Sequence, residues 1–97
     1  MIEYDRENGV INVSDSFSRE YVKDEYNRQR EGYDFLESRE LTEDELDTLM
    51  ERCVAKFENL EAEYCDCEPN YYGGVQSVVE DFIEELEEEH NENENEK

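Results

Sequence analysis

Residues 75–97, VQSVVEDFIEELEEEHNENENEK, constrain this chain more than any other stretch. Val75, Val78, Val79, Phe82, Ile83 and Leu86 recur at i, i+3, i+4, i+7, i+8 and i+11, one apolar face of an α-helix. Such a helix must bury that face, so the rest of the chain has to supply a core for it. The other faces are nearly all acid. Glu80, Asp81, Glu84, Glu85, Glu87, Glu88 and Glu89 fall between residues 80 and 89 with no base among them. At about 1.5 Å rise per residue they span roughly 15 Å. That is about one charge per 2 Å, against about one per 1.7 Å along the axis of duplex DNA.

This arrangement opposes local helix stability. Glu80/Glu84, Asp81/Glu85, Glu84/Glu88 and Glu85/Glu89 are like-charge pairs at i, i+4, each unfavourable by roughly 0.2–0.5 kcal/mol. The acids also crowd the C-terminal end, where the helix dipole favours cations. The stretch is therefore either an acidic surface kept for a partner or a solvated tail that frays.

A 97-residue chain has room for one small domain. Its hydrophobic content is 35%, low for a globular domain, but seven Tyr and four Phe each bury a large area. We expect one domain over residues 1–89 and a disordered acidic tail over 90–97, where HNENENEK is of low complexity. The fold class expected is α+β and mostly helical: an N-terminal β-hairpin packed on about three helices.

The hairpin covers residues 2–13. Asn8-Gly9 suits a two-residue type I′ turn, which sets Arg6 opposite Ile11 and Tyr4 opposite Val13. Ile2, Tyr4, Ile11 and Val13 then share one face. Ser14, Asp15 and Ser16 offer caps for a helix from about Phe17 to Arg30, with Phe17, Tyr21, Val22 and Tyr26 inward and Gly32 as its stop. Residues 33–41 fit neither period. Thr42 to Glu45 form a capping box, with Leu41 and Leu46 placed for a hydrophobic staple. The helix beyond carries Leu46, Leu49, Met50, Cys53, Val54, Phe57, Leu60 and Tyr64 on one stripe. CDCEPNYYGG, residues 65–74, reads as a loop, with the acidic helix starting near Gly74.

The net charge of −22 is unevenly placed. Residues 1–30 hold seven acids and five bases, residues 31–60 ten and three, and residues 61–97 fourteen and one. Such a chain repels nucleic acid and anionic membrane and attracts basic protein surfaces. Direct nucleic-acid binding is excluded. A halophilic origin would favour Asp and Ala, yet Glu outnumbers Asp 23 to 8. No signal peptide and no membrane span are visible, and three cysteines without secretory context suggest free thiols in a cytoplasmic protein.

Catalysis finds little support. His90, the only histidine, lies at the edge of the expected tail, so no base can serve a Ser or Cys nucleophile within the fold. Gly73-Gly74 lacks the Lys-Ser or Lys-Thr of a phosphate loop. Cys65-x-Cys67 with Cys53 has no second pair to complete a zinc site, and no calcium-loop pattern occurs. We expect no enzyme, no cofactor and no metal. Tyr71 and Tyr72 cannot easily both point inward, so one of them should add an aromatic contact to a protein interface.

In size, charge and its glutamate-rich end the chain resembles the small acidic DNA-mimic inhibitors of phages and mobile elements, such as the anti-restriction protein Ocr and some anti-CRISPR proteins. The likeness is one of composition and layout, mainly over residues 43–97. It implies occupation of the basic groove of a host defence or DNA-handling protein: a restriction enzyme, CRISPR effector, nucleoid protein or polymerase subunit. The partner-binding residues expected are Glu80, Asp81, Glu84, Glu85, Glu87 and Glu88, with Asp44, Asp47, Glu51, Glu58 and Glu61 extending the same surface and Tyr71 and Tyr72 beside it. The competing reading is an acidic adaptor that binds its partner, or a second copy in a homodimer, through apolar helix surfaces while the charge keeps it soluble.

Overall fold

The computed structural model describes residues 2–37, 39–63 and 69–95, with side chains through His90. Three short strands, β1 (Glu3–Asp5), β2 (Val10–Asn12) and β3 (Ser16–Ser18), form an antiparallel sheet in sequence order. Three helices follow: α1 (Arg19–Arg30), α2 (Glu43–Glu63) and α3 (Tyr71–Asn95), with a 3-10 turn at Asp34–Leu36 between the first two. The class is α+β and mostly helical, as the sequence indicates, with one strand more than the hairpin requires.

The hairpin register differs from expectation by two residues. Tyr4 faces Ile11, and Asp5 faces Val10. A type I′ turn needs positive φ at both central residues, and among the described residues only Gly9 has one, at 66°. The turn is instead a longer loop organised by Asp5. Its carboxylate accepts from the Asn8 backbone N–H at 3.2 Å and from the Asn8 amide at 2.7 Å, and its carbonyl accepts from Gly9 N at 2.8 Å. A two-residue slip keeps side-chain parity, so Tyr4 and Ile11 still face the core.

Phe17 belongs to β3 rather than to the first helix. It stands opposite Ile11, so Tyr4, Ile11 and Phe17 make one row across the sheet, with Ile11 and Phe17 fully buried. Helix α1 therefore starts two residues later than expected. Ser18 is its N-cap, accepting from Tyr21 N at 3.1 Å. Serine alternating with phenylalanine serves both roles here, one serine ending the strand and capping the helix. At the other end α1 stops at Arg30, and Gly32 stays outside the left-handed region. The turn closes through Gly32 N to Gln29 O and Tyr33 N to Arg30 O.

The capping box forms as expected. Thr42 N donates to Glu45 Oε1 at 3.0 Å, and Glu45 N donates to Thr42 Oγ1 at 3.1 Å. Helix α3 begins at Tyr71 rather than near Gly74, because Asn70 caps it: its side-chain oxygen accepts from Gly73 N at 3.1 Å. Gly74 then lies inside the helix where α3 meets α2. A Cβ there would sit 3.0 Å from Leu60 Cδ1 and 3.3 Å from Phe57 Cε1, so glycine permits the close approach.

All three helices and the sheet share one hydrophobic cluster. Helix α3 contributes Val75, Val78, Val79, Phe82 and Ile83 to it, and α2 contributes Leu49, Met50, Cys53 and Phe57. At the C-terminal end the backbone is helical to Asn95. Residues 71–95 contain no proline, and their two glycines lie in the first turn, so no chain breaker interrupts the helix. His90 also has a tertiary contact, described below.

Candidate protein-binding surface

The surface of interest is built on α3. With 3.6 residues per turn, burying residues 75, 78, 79, 82 and 83 sends Glu80, Glu84, Glu87 and Glu88 to the opposite side. All four are exposed, as are Asp81, Glu85 and Glu89. Among the described residues, no cation stands within ion-pair distance of Glu80, Asp81, Glu84, Glu87 or Glu88. Glu80, Glu84, Glu87 and Glu88 thus form a row of unpaired carboxylates on a helix whose inner face is buried as far as Ile83, while Asp81 feels the charge of Arg52.

Glu85 is different. Arg52 of α2 reaches it with both terminal nitrogens, at 2.5 and 3.1 Å. This hydrogen bonding holds the Glu85 carboxyl below the ordinary range and pushes Arg52 up. Glu85 is turned toward the α2–α3 seam, where Arg52, Lys56 and Asn59 line a shallow depression with Asp81.

The acids of α2 fall elsewhere. Asp47 pairs with Arg19 and Glu51 with Arg6, while Glu43 lies 3.6 Å from Arg19. Arg6 lies in the turn between β1 and β2, and Arg19 is the first residue of α1. They fasten these elements to α2 and neutralise carboxylates on that side. Glu61 accepts from the Tyr71 hydroxyl at 3.4 Å. Asp44 and Glu58 are exposed. The two acid sets are separated by the seam that carries Arg52 and Lys56, so α2 does not simply lengthen the α3 row.

Of the two tyrosines, Tyr71 is buried, its ring 5.0 Å from Phe57. It is a core residue and offers no ring to a partner. Tyr72 is 48% exposed. Its ring packs edge-on against Phe17 at 4.9 Å and Tyr21 at 5.9 Å, and its hydroxyl donates to Asp15 Oδ2 at 3.3 Å. The nearby Asp15 carboxylate pushes the Tyr72 hydroxyl up. Tyr72 and the acid row occupy opposite ends of α3.

Cys53 lies in the core, and burial pushes its thiol up to about 12. It is an apolar packing group rather than a ligand. Cys65, Cys67 and Tyr64 lie outside the described residues. Among the described residues no group of three or more His, Cys, Asp or Glu side chains is placed to hold a metal ion. No helix among them is long and apolar enough to cross a membrane.

Two features escaped the sequence. One is the arginine clasp on α2, because any of 31 acids could have been the partner of Arg6 or Arg19. The other is a stack between Phe35, on the 3-10 turn, and His90, with centroids 4.8 Å apart and planes at 16°. A histidine four residues past Leu86 on the apolar stripe was the available signal.

Comparisons with protein-family models, with curated proteins and with solved structures give no match to this chain.

Proposed function

We propose that this chain is a non-enzymatic, DNA-mimicking inhibitor that occupies the basic nucleic-acid-binding groove of a host defence or DNA-handling protein. The observation that carries the reading is the outer face of α3. Glu80, Glu84, Glu87 and Glu88 are exposed and unpaired among the described residues on a helix pinned along its inner face. With the helical backbone already in place, only side chains remain to be ordered when a partner's Lys and Arg side chains arrive, so less free energy is lost on binding than with a disordered segment. Complementary charge at this density also steers association and makes it strongly salt-dependent.

The adaptor alternative draws less support. It needs an apolar helix face left open for a partner. The apolar stripes of all three helices instead pack into one cluster, and among the described residues Tyr72 is the one large hydrophobic side chain that is exposed.

The test is competition. The chain is titrated against purified basic DNA-binding proteins from the candidate classes, at low salt and at about 0.5 M salt, with duplex DNA as competitor. The expected result is a partner that DNA displaces from the chain and that salt releases. A partner whose complex resists both DNA and salt, yet is lost on a Tyr72 substitution, overturns the proposal in favour of apolar docking.

A further inference from the structure

The apolar stripe of α3 weakens before its charge does. Among the described side chains Ile83 is the last fully buried one of the helix, Leu86 is half-buried, and Glu87, Glu88 and Glu89 follow as a run of exposed charges. Like-charge pairs Glu84/Glu88 and Glu85/Glu89 oppose the helix there. Something must hold this segment in helical register if its carboxylates are to form a row. Phe82, Leu86 and His90 continue one line at i, i+4 and i+8, and Phe82 and His90 each meet a ring outside α3. Phe82 meets the Tyr26 ring of α1 at 6.3 Å. Leu86 packs against the core cluster. His90 lies flat on Phe35, whose ring in turn meets Tyr33 edge-on at 6.0 Å.

The Phe35 shelf is itself anchored. Leu36 beside it is fully buried. The Arg39 carbonyl just beyond accepts hydrogen bonds from the Tyr26 hydroxyl at 3.0 Å and from Arg30 Nη1 at 2.7 Å. The 3-10 turn is thus tied to α1 at both ends, which gives His90 a fixed surface to rest on.

We propose that the Phe35–His90 stack is a latch that holds the distal part of α3 against the 3-10 turn and so keeps Glu84, Glu87 and Glu88 aligned for a polycationic partner. Phe35 and His90 are positioning residues: neither belongs to the acid row. The binding consequence rests on the functional reading above, whereas the latch itself does not.

Hydrogen exchange of the backbone amides separates the two. In the intact chain the amides of residues 86–93 should be protected. His90→Ala and Phe35→Ala should each lower that protection by roughly two- to tenfold, the range an aromatic pair contributes. Amides of residues 46–60 and 75–82 should keep theirs. His90→Phe should restore protection, because a second ring preserves the stack. The double substitution should cost no more than either single one. His90 is exposed, so its replacement leaves the core intact even where Phe35→Ala disturbs the turn. Absent protection in the intact chain, or protection unchanged in His90→Ala, overturns the latch. Binding of an oligolysine peptide is measured on the same variants, and weaker binding by His90→Ala is the expected result. Should protection fall while oligolysine affinity stays constant, the latch stands as a structural device and its role in presenting the row fails.

Discussion

Arg52 of α2 donates two hydrogen bonds to Glu85 of α3, Nη1 to Oε2 at 2.5 Å and Nη2 to Oε1 at 3.1 Å. This contact divides seven neighbouring carboxylates into one that serves the fold and others that face solvent. The division follows from helical geometry. Glu85 lies beside the buried stripe, within reach of α2, while Glu84 and Glu88 lie beyond it.

Neutral substitutions should therefore act in opposite directions. Glu85→Gln removes a bidentate but largely exposed pair and should lower stability by up to about 1 kcal/mol. Glu84→Gln relieves repulsion with both Glu80 and Glu88, about 0.2–0.5 kcal/mol for each pair, and should raise stability. Urea unfolding at neutral pH distinguishes the two. Equal destabilisation by both would mean that Glu84 has a cationic partner after all. For the same reason, a charge-reversal test of binding should use Glu80, Glu84 and Glu88 and leave Glu85 alone. That triple Lys variant should fold and lose its basic partner.

What the sequence revealed was local. The α3 stripe and the Thr42–Glu45 box depend on residues within a few positions of one another, and both appear as expected. The hairpin turn was also local, but two devices competed for it. Asn8-Gly9 favours a two-residue turn, whereas Asp5 can bond Asn8 and Gly9 together in a longer loop, and the longer loop won. Strand β3 was hidden because its serines also read as helix caps. The contacts that split the acids into paired and free sets join residues 28 to 45 positions apart. In a chain with 31 acids, no spacing rule could have chosen those partners.

Gly9 should be hard to replace. Its φ is 66°, which costs an L-residue roughly 1–2 kcal/mol. A Cβ there would also overlap Arg19 Cδ. Arg19 runs across Gly9 to reach Asp47, and its N–H donates to the Gly9 carbonyl at 2.9 Å. Gly9→Ala should therefore lose at least about 1 kcal/mol and weaken the clasp to α2. A double-mutant cycle with Asp47→Ala checks the second part. The two losses should be less than additive, since both act on Arg19. Full additivity would confine the effect of Gly9 to its backbone.

The α2 cap makes a pH prediction. Burial works to raise the Glu45 carboxyl, but hydrogen bonds from Arg39 and Thr42 outweigh it and hold the group below its ordinary value. A carboxylate with a lowered folded pKa contributes stability that is present above its unfolded value, near about 4.3. That contribution is lost as pH falls through the lower folded value. The difference in unfolding free energy between the native chain and Glu45→Gln should be widest at neutral pH and should close below about pH 4. A difference that grows on acidification would contradict the sign of the shift.

Salt should move folding and binding in opposite directions. The chain carries 31 acids against 9 bases, so most carboxylates stay unpaired even when every base is engaged. The ion pairs at Arg6, Arg19 and Arg52 involve partly exposed groups and are each worth at most about 1 kcal/mol. The four like-charge pairs within α3 alone oppose them by roughly 1–2 kcal/mol in sum, before any long-range repulsion is counted. Repulsion over long distances is also screened before short contacts are, because the Debye length falls from about 30 Å at 0.01 M salt to about 3 Å at 1 M. Net screening should then stabilise the fold, raising Tm by about 5 °C over that range. The same salt should weaken any complex made through the α3 row, since that complex depends on the charges being felt at a distance. A falling Tm would show that the arginine clasps outweigh self-repulsion. A complex indifferent to salt would show that the row is not what the partner touches.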